Sequence, residues 1–383
     1  MSALAVYVHI PFCIQKCGYC DFNAYLYHTA TARAYVTALR QEIAHAAERS
    51  WTDYVVPSVY VGGGTPSTLT PVDLTGLLRL IRTSFPVPAE AEITVEADPG
   101  TIALDGLTAL RTGGFNRISL GVQAFDDALL RQLDRRHSAE DARRALVWAR
   151  RAGFMDLNLD LMFGLPGQTL AAWEASLREA LSFAPTHLSV YGLTIEARTP
   201  FYRRQERGQL VVPDEEAQAI MFERAEQILS AAGYVHYEIS NYALPGWRSC
   251  HNLHYWHHGE YLGFGAGAHA YLDGYRCENE RLPWRYIGAI TARGEAAGEP
   301  EYVDAERRRH EGLMVGLRLR EGINLATFAA AYGVACETTY AEPIAELSQA
   351  GYLQLTDGRL CLTDRGRLVA DAVLGRLVAA EEP

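Results

Sequence analysis

Residues 5–20, AVYVHIPFCIQKCGYC, place three cysteines directly after a strand-like run of apolar residues. Cys13, Cys17 and Cys20 follow the spacing CxxxCxxC, which puts three sulfur ligands on one short loop. Four-iron clusters are held by cysteine thiolates on compact runs of this kind. Three cysteines leave one iron without a protein ligand, so the spacing favours a cluster that a substrate or cofactor can reach.

A zinc site is the alternative that this spacing leaves open. Structural zinc usually takes four ligands, typically from separated CxxC pairs. Here His9 or His28 would supply the fourth ligand. The other four cysteines are expected to be ordinary thiols; they are Cys250, Cys277, Cys336 and Cys361.

Beyond this loop, segments rich in Val, Ile, Leu and Tyr alternate with longer amphipathic segments. Such alternation is typical of strand–helix units around a parallel sheet. The predicted strands are residues 5–10, 58–61, 93–96, 117–121, 157–163 and 188–193. The predicted helices are residues 32–48, 74–84, 107–112, 128–133, 139–151 and 172–183. We expect an α/β fold whose six strands form a partial (β/α)6-type barrel.

Candidate functional motifs follow these strands directly. GGGTPS comes after VYV, EADPG after EITV and GVQAF after RISL, and DLMFGLPGQT closes the next strand. Ligands of such folds bind at the carboxyl ends of the parallel strands. We therefore expect the motifs to meet at one edge of the barrel.

The order of elements changes in the C-terminal part. We expect residues 1–235 to form the barrel, 236–302 a connecting region rich in His and aromatic residues, and 303–383 a smaller α/β domain. Its last elements, a helix, the hairpin GYLQLTDGRLCLT and a helix, resemble a winged helix. Residues 302–383 contain nine Arg, no Lys and twelve Asp or Glu, whereas a DNA-reading module should be basic.

The composition narrows the function classes further. The 383 residues are 49% hydrophobic, and 46 acidic against 35 basic residues give a formal net charge of −11. Polyanions prefer the opposite charge, so we expect no nucleic-acid partner. No basic leader precedes an apolar stretch, and no run reaches the roughly 18 apolar residues of a membrane span. We expect a cytoplasmic protein, in a compartment where disulfides are rare.

The motifs YVHIPFCIQKCGYC, GGGTPS, GVQ and DLxxGLPxQT, in this order, resemble the radical S-adenosylmethionine (SAM) superfamily. Within it they are similar to the branch that contains anaerobic coproporphyrinogen III oxidase. The resemblance runs from Tyr7 to at least His269. It implies a [4Fe-4S] cluster on the three cysteines, with SAM chelating the open iron and being cleaved by electron transfer to a 5′-deoxyadenosyl radical.

The resemblance also implies which residues contact SAM. Glycines allow close approach of the backbone, and an amide or a guanidinium suits the carboxylate of the ligand. The expected contact residues are Tyr7, Tyr19, Gly63, Gly64, Thr65, Glu96, Gln123, Arg135, Asp160 and Thr194.

Two departures separate the sequence from the oxidase pattern. The oxidase continues CxxxCxxCxC, whereas Cys20 is followed by Asp21 and Phe22, and only six residues precede Tyr7. Both features are similar to the HemW-type heme chaperones, as is the motif HNxxYW at residues 251–256.

That motif implies heme contacts from His251, Tyr255 and Trp256. A neutral imidazole is a common axial ligand of heme iron, and aromatic rings can pack on the macrocycle. Five of the twelve histidines lie between residues 251 and 269.

The resemblance leads to the expectation of a protein that binds heme and passes it to hemoprotein acceptors, namely respiratory ones that it contacts transiently at the membrane. An electron donor such as flavodoxin or ferredoxin would serve the cluster. The alternative is an enzyme, either oxygen-independent coproporphyrinogen III dehydrogenase or a related radical SAM methyltransferase or cyclopropanase. A regulatory zinc protein is a third possibility.

Overall fold

Strands and helices alternate along the first half of the chain, in a computed structural model that describes residues 1–379. The strands are β1 (Ser2–Ile10), β2 (Phe12–Cys13), β3 (Tyr25–Leu26), β4 (Tyr54–Val55), β5 (Ser58–Gly63), β6 (Glu92–Ala97), β7 (Arg117–Gln123), β8 (Asp156–Phe163), β9 (His187–Gly192), β10 (Val235–His236), β11 (Asn241–Ala243), β12 (Glu260–Phe264), β13 (His269–Leu272), β14 (Tyr275–Glu278), β15 (Glu301–Tyr302), β16 (Ile323–Asn324), β17 (Leu353–Thr356) and β18 (Arg359–Leu362).

The helices connect and cover these strands. They are α1 (Thr29–Ala46), α2 (Pro71–Ser84), α3 (Leu104–Thr112), α4 (Asp127–Gln132), α5 (Ala139–Arg151), α6 (Leu170–Ser182), α7 (Pro200–Glu206), α8 (Glu215–Ala231), α9 (Cys250–Trp256), α10 (Pro283–Arg293), α11 (Ala305–Gly316), α12 (Leu325–Tyr332), α13 (Cys336–Thr339), α14 (Ala341–Gln349), α15 (Asp364–Leu368) and α16 (Ala370–Val378).

Seven parallel strands form the centre of the main sheet. Their spatial order is β12, β1, β5, β6, β7, β8 and β9, and each pair of neighbours is parallel. At one end β9 pairs antiparallel with β11, and at the other β12 pairs antiparallel with β13. The arrangement is a partial barrel with an antiparallel extension at each edge.

The parallel strands are buried on both faces, as near-continuous apolar runs require. Helices α1, α2, α3, α5 and α6 pack their apolar faces into the same core. Local sequence determines where such a helix begins, as α5 shows. Ser138 Oγ accepts from the backbone N–H of Asp141, and the Asp141 carboxylate accepts from the backbone N–H of Ser138. Fully buried side chains of β1 are Leu4, Val6, Val8 and Ile10.

The structure confirms the α/β class and all six predicted strands, with boundaries shifted by up to three residues. The sequence pattern did not reveal β12, the seventh parallel strand. Its sequence, EYLGF, is short and lies in a glycine-rich stretch whose alternation is too brief to stand out. Residues 236–302 also contribute β11 to β15 and the second residue of β10, so the connecting region joins the main sheet.

A second core lies in the C-terminal part and is formed by apolar residues from Leu313 to Leu377. Its small sheet has the order β16, β18, β17, and helices α11 to α16 surround it. The elements follow one another in the order α11, β16, helices α12 to α14, the hairpin β17–β18, and helices α15 and α16. This order agrees with the expected winged-helix-like order. Within residues 1–379, no helix is both long and apolar enough to cross a membrane.

Candidate functional site

A cavity of about 490 Å³ opens at the carboxyl ends of β5, β6 and β7, against the loop of the three cysteines. We call it the first cavity. This edge of a parallel sheet is where ligands of such folds bind. It brings together most of the residues predicted to bind the cluster and SAM: Cys13, Cys17, Tyr19, Cys20, Gly63, Gly64, Thr65, Glu96, Gln123, Arg135 and Asp160.

The three thiols reach the first cavity from one loop. Thr65 Oγ1 donates to Cys13 Sγ at 3.4 Å, and Arg135 Nη1 donates to Cys17 Sγ at 3.5 Å. Burial raises the pKa of Cys13, and it raises the pKa of Cys20 to about 11, because apolar surroundings disfavour a free thiolate. A bound metal reverses this preference. Three thiols on one wall, with donors aimed at two of the sulfurs, fit a thiolate-held cluster.

Glycines keep the space beside the cysteines free of side chains. A Cβ added to Gly64 would lie 2.9 Å from the carbonyl oxygen of Phe12 and 3.1 Å from Cys13 Sγ. Gly63 has a φ of +116°, and a Cβ there would lie 2.5 Å from the His9 ring. Only glycine is compatible with this close approach of β5 to the cysteine loop.

Glu96, on β6, is a buried carboxylate in the wall of the first cavity. Its Oε1 accepts from Tyr60 OH at 2.7 Å, and its Oε2 accepts from the Gly63 N–H at 3.0 Å. Burial raises the pKa of Glu96 to about 7; repulsion from Asp160 adds to the shift and the Tyr60 hydrogen bond opposes it. A cationic ligand group would therefore stabilise the charged form of Glu96.

Asp160 is a second buried carboxylate in the same wall. Asn158 Nδ2 donates to Asp160 Oδ1 at 2.8 Å, and Ser119 Oγ donates to Oδ2 at 3.3 Å. Burial raises the pKa of Asp160, and these hydrogen bonds counteract the shift. The two carboxylates give this side of the cavity acceptors for an amine or for ribose hydroxyls.

Gln123 reaches the cavity through an irregularity in its strand. The register of β7 against β8 shifts between Leu120 and Gln123, and Gln123 has a φ of +65°, which is uncommon for a residue other than glycine. Its Oε1 accepts from Tyr191 OH at 2.8 Å. Such strained positions are concentrated at functional sites, and this one turns an amide toward the ligand space.

Arg135 brings a buried positive charge to the cysteine loop. Its Nη2 donates to Asp98 Oδ2 at 2.8 Å and to the Gly121 carbonyl at 2.6 Å. Although burial alone would raise it, His137 and Arg135 lower the pKa of Asp98 to about 2. Within residues 1–379, the buried Nε of Arg135 has no hydrogen-bond partner. The guanidinium brings a positive charge to the wall of the first cavity, which suits an anionic group of a ligand.

Two residues predicted for this site lie elsewhere. Tyr7 is in β1, with its hydroxyl 2.9 Å from His9 Nδ1, and it lines a different cavity. Thr194 is exposed after β9, outside the lining of the first cavity. Both residues were assigned to SAM from the family resemblance, and neither is in the lining of the first cavity.

The second cavity, of about 670 Å³, lies between the barrel and the C-terminal part of the chain. Its walls come from β1, β5, α9, the β12–β14 region and α11. Five tyrosines dominate the lining, which gives flat apolar surfaces with polar edges. They are Tyr7, Tyr60, Tyr255, Tyr261 and Tyr271.

His251 is the predicted heme ligand and lines this second cavity. Its Nδ1 lies 2.9 Å from Ser58 Oγ and its Nε2 lies 3.0 Å from Tyr255 OH. Only 1% of the residue is exposed, and burial lowers its pKa to about 3, so the ring is neutral. Both nitrogens are hydrogen-bonded, and coordination of iron by His251 therefore requires one of these bonds to break.

Trp256, the third predicted heme residue, points away from His251 and Tyr255. It lines a smaller cavity of about 270 Å³ between α9 and the C-terminal elements. The helix explains this separation, because residues 251 and 255 are one turn apart whereas residue 256 is rotated by about 100° from residue 255. The structure thus joins two of the three predicted residues at one cavity.

The zinc alternative depended on histidine ligands that the structure places elsewhere. His9 Nε2 lies 2.9 Å from the Asn23 carbonyl and its Nδ1 faces Tyr7. His28 is exposed at the start of α1. No three His, Cys, Asp or Glu side chains in residues 1–379 are grouped as ligands of a single metal ion.

Some residues of the sites were missed by the sequence reasoning. Asp98 and Tyr191 lie at the carboxyl ends of β6 and β9, whereas Tyr60 and Ser119 lie within β5 and β7. Position at a strand end was therefore a usable signal, and Asp98 stands within the quoted motif EADPG. The sequence did not identify Tyr60 as a site residue, because an aromatic residue in an apolar strand is usually part of the core.

Comparison with known protein families agrees with this geometry. Residues 7–180 match the model of the radical SAM superfamily, and residues 303–369 match the model of the HemN C-terminal domain. A solved structure of coproporphyrinogen III oxidase (HemN) from Escherichia coli covers 99% of this chain and 91% of its own, with a TM-score of 0.85 and 26% identity. Fold and site together define a radical SAM protein, a class that implies a [4Fe-4S] cluster and SAM.

Relatives over the full length narrow the class. Heme chaperone HemW from Bacillus subtilis is 37% identical over 97% of this chain and 98% of its own. Heme chaperone HemW from Escherichia coli is also 37% identical, over 99% of both chains. The chain belongs to the HemW family within the radical SAM superfamily, which confirms the family predicted from the motifs.

Proposed function

We propose that the protein is a heme chaperone, which binds heme and delivers it to hemoprotein acceptors. The observation that carries the proposal is the 37% identity to proteins named heme chaperone HemW over nearly the whole chain. The oxidase structure is only 26% identical despite its similar fold. The CDFN sequence at residues 20–23, with no fourth cysteine directly after Cys20, supports the same choice.

In this proposal the first cavity holds the cofactors. Cys13, Cys17 and Cys20 ligate a [4Fe-4S] cluster, and the glycines of β5 leave room for SAM beside it. When bound, the cluster and SAM supply one-electron chemistry that cleaves the sulfonium. Arg135 would attract an anionic group of SAM through its positive charge, and Glu96 and Asp160 would accept from the amine or the ribose.

The second cavity would receive the heme. Its tyrosine rings can pack on the macrocycle, and Arg276 and Arg318 can meet the propionates. In the structure Arg276 pairs with Glu311 at 2.5 Å and Arg318 with Asp371 at 2.7 Å, so the propionates would compete with these carboxylates. His251 and Tyr255 contact the heme directly. Trp256 supports α9 from the opposite side.

The remaining expectations belong to the same proposal. Residues 1–235 carry the cofactors, residues 236–302 the heme contacts, and the C-terminal domain from residue 303 closes the second cavity through α11. The protein would act in the cytoplasm, with flavodoxin or ferredoxin as electron donor. The acceptors would be respiratory hemoproteins, reached by transient contact at the membrane.

Heme titration tests the proposal. Anaerobically reconstituted protein should bind heme in a defined stoichiometry, and His251→Ala should weaken binding and change the heme absorption spectrum. Val315→Trp, which fills the second cavity, should also weaken binding, whereas Val72→Trp on an exposed site should not. Failure of the wild-type protein to bind heme would refute the proposal.

The same samples also test the enzyme alternative. The oxidase-like fold makes coproporphyrinogen III the appropriate substrate to offer, with SAM and a reductant. We expect no formation of protoporphyrinogen. Turnover that depends on the substrate would instead establish the oxygen-independent dehydrogenase.

A further inference from the structure

The first and second cavities share one wall, and Tyr60 spans it. The hydroxyl of Tyr60 donates to Glu96 Oε1 at 2.7 Å, and Glu96 lines the first cavity. The ring of the same tyrosine lines the second cavity. Tyr60 therefore lines the second cavity and is joined to the lining of the first through Glu96.

The ring side of Tyr60 leads directly to the predicted heme contacts. Its ring stacks on His251, with centroids 5.1 Å apart and planes inclined by 29°. His251 in turn meets Tyr255 through its Nε2 at 3.0 Å. A displacement of the Tyr60 ring would consequently change both the wall of the second cavity and the packing of its histidine, because such cores are closely packed.

We propose that Tyr60 is a positioning residue that couples the two cavities, so that SAM in the first cavity strengthens heme binding in the second. The inference rests on the proposed function. A cationic group of SAM beside Glu96 holds that carboxylate charged and strengthens its hydrogen bond with Tyr60. Tyr60 is then held in one orientation, and heme binding no longer has to order this wall.

A second chain of contacts through the barrel provides a matched control. Asp160 of the first cavity accepts from Asn158, which contacts His187 at 2.6 Å. His187 lies 2.8 Å from the Tyr237 hydroxyl, and this hydroxyl accepts from the Ser249 N–H at the start of α9. Tyr237 lines neither cavity, so Tyr237→Phe removes a buried hydroxyl without altering a ligand wall.

The test measures the dissociation constant of ferric heme with and without saturating SAM. It uses cluster-loaded protein without reductant, so that SAM is not cleaved. We expect SAM to tighten heme binding about fivefold or more in the wild type and in Tyr237→Phe. In Tyr60→Phe, which keeps the ring and loses the hydrogen bond, the ratio should fall to about one. Heme should raise the affinity for SAM by the same factor, since coupling is reciprocal.

Each outcome decides between distinct claims. If heme binds but SAM has no effect in the wild type, the coupling is refuted and the proposed function stands. If Tyr60→Phe retains the full ratio, or if Tyr237→Phe loses it, Tyr60 is not the coupling residue. If no variant binds heme, the proposed function and the inference both fail. Bound SAM in Tyr60→Phe confirms that the variant is folded.

Discussion

The first and second cavities differ in how their polar groups are satisfied. In the first, three thiols line the ligand space, and Cys13 and Cys17 each accept one hydrogen bond from a neighbouring side chain. In the second, His251 has both nitrogens hydrogen-bonded to neighbours. The first cavity thus offers thiols to a group that they ligate, whereas the second offers mainly aromatic faces to a ligand that packs on them.

The two cavities also differ in the charge and in the shape of their linings. Glu96 and Asp160 both lie in the wall of the first cavity, where burial raises the pKa of each and Asp160 adds to the shift of Glu96, so an incoming cation would favour their charged forms. The second cavity presents mainly tyrosine rings, and its charged groups are already paired across its rim. We therefore expect substitutions in the first cavity to change cofactor content and pH dependence, and those in the second to change heme affinity.

Removal of the thiols should have the largest effect. Cys13→Ala, Cys17→Ala or Cys20→Ala each takes away one of three cluster ligands, and we expect almost complete loss of bound iron and sulfide. Heme binding at the second cavity should persist, because its lining contains none of these residues. Iron and sulfide analysis and heme titration measure the two effects.

Cys250→Ala is the matched control, since Cys250 is an exposed thiol away from the first cavity. It should retain the full cluster. Zinc without sulfide in the wild-type protein would contradict the cluster assignment, and loss of heme together with the cluster would show that the two cavities are not separate.

The next effect concerns the buried charge of Glu96. Its pKa is raised from 4.5 to about 7 in the folded protein, so the folded state binds the proton more tightly than the unfolded state. Stability should therefore fall as pH rises from about 4.5 to about 7, by on the order of 3 kcal/mol. Glu96→Gln removes this dependence. The thermal midpoint of the cofactor-free variant should exceed that of the wild type at pH 8 but not at pH 4.5.

Glu206→Gln supplies the comparison, because Glu206 is an exposed carboxylate on α7. Its midpoint should follow that of the wild type at both pH values. Equal midpoints for Glu96→Gln and wild type at pH 8 would show that Glu96 carries no such cost, and would remove the electrostatic contrast between the cavities.

The sequence predicts more of the first cavity than of the second, and the way each cavity is assembled explains why. The cysteines, glycines and polar residues of the first cavity lie in short motifs directly after strands, so spacing and family resemblance located most of them. The second cavity is assembled from β1, β5, α9 and α11, which are far apart along the chain. The sequence revealed the HNxxYW motif of the second cavity. It did not place Tyr60 there, because Tyr60 looked like a core aromatic, or Tyr7, which was assigned to the SAM site. Only the strand order brings them to His251.

The smallest expected effect tests whether the second cavity relies on packing alone. Tyr255→Phe keeps the ring and removes the hydroxyl that occupies His251 Nε2. If His251 ligates the iron through this nitrogen, heme binding no longer has to break that hydrogen bond, which is worth about 1 kcal/mol. Affinity for heme should then rise about fivefold. Tyr261→Phe removes another hydroxyl from the same lining without contact to His251 and should change little. An unchanged or weaker affinity in Tyr255→Phe would mean that Nε2 does not reach the iron, and that the rings hold the heme without this ligand.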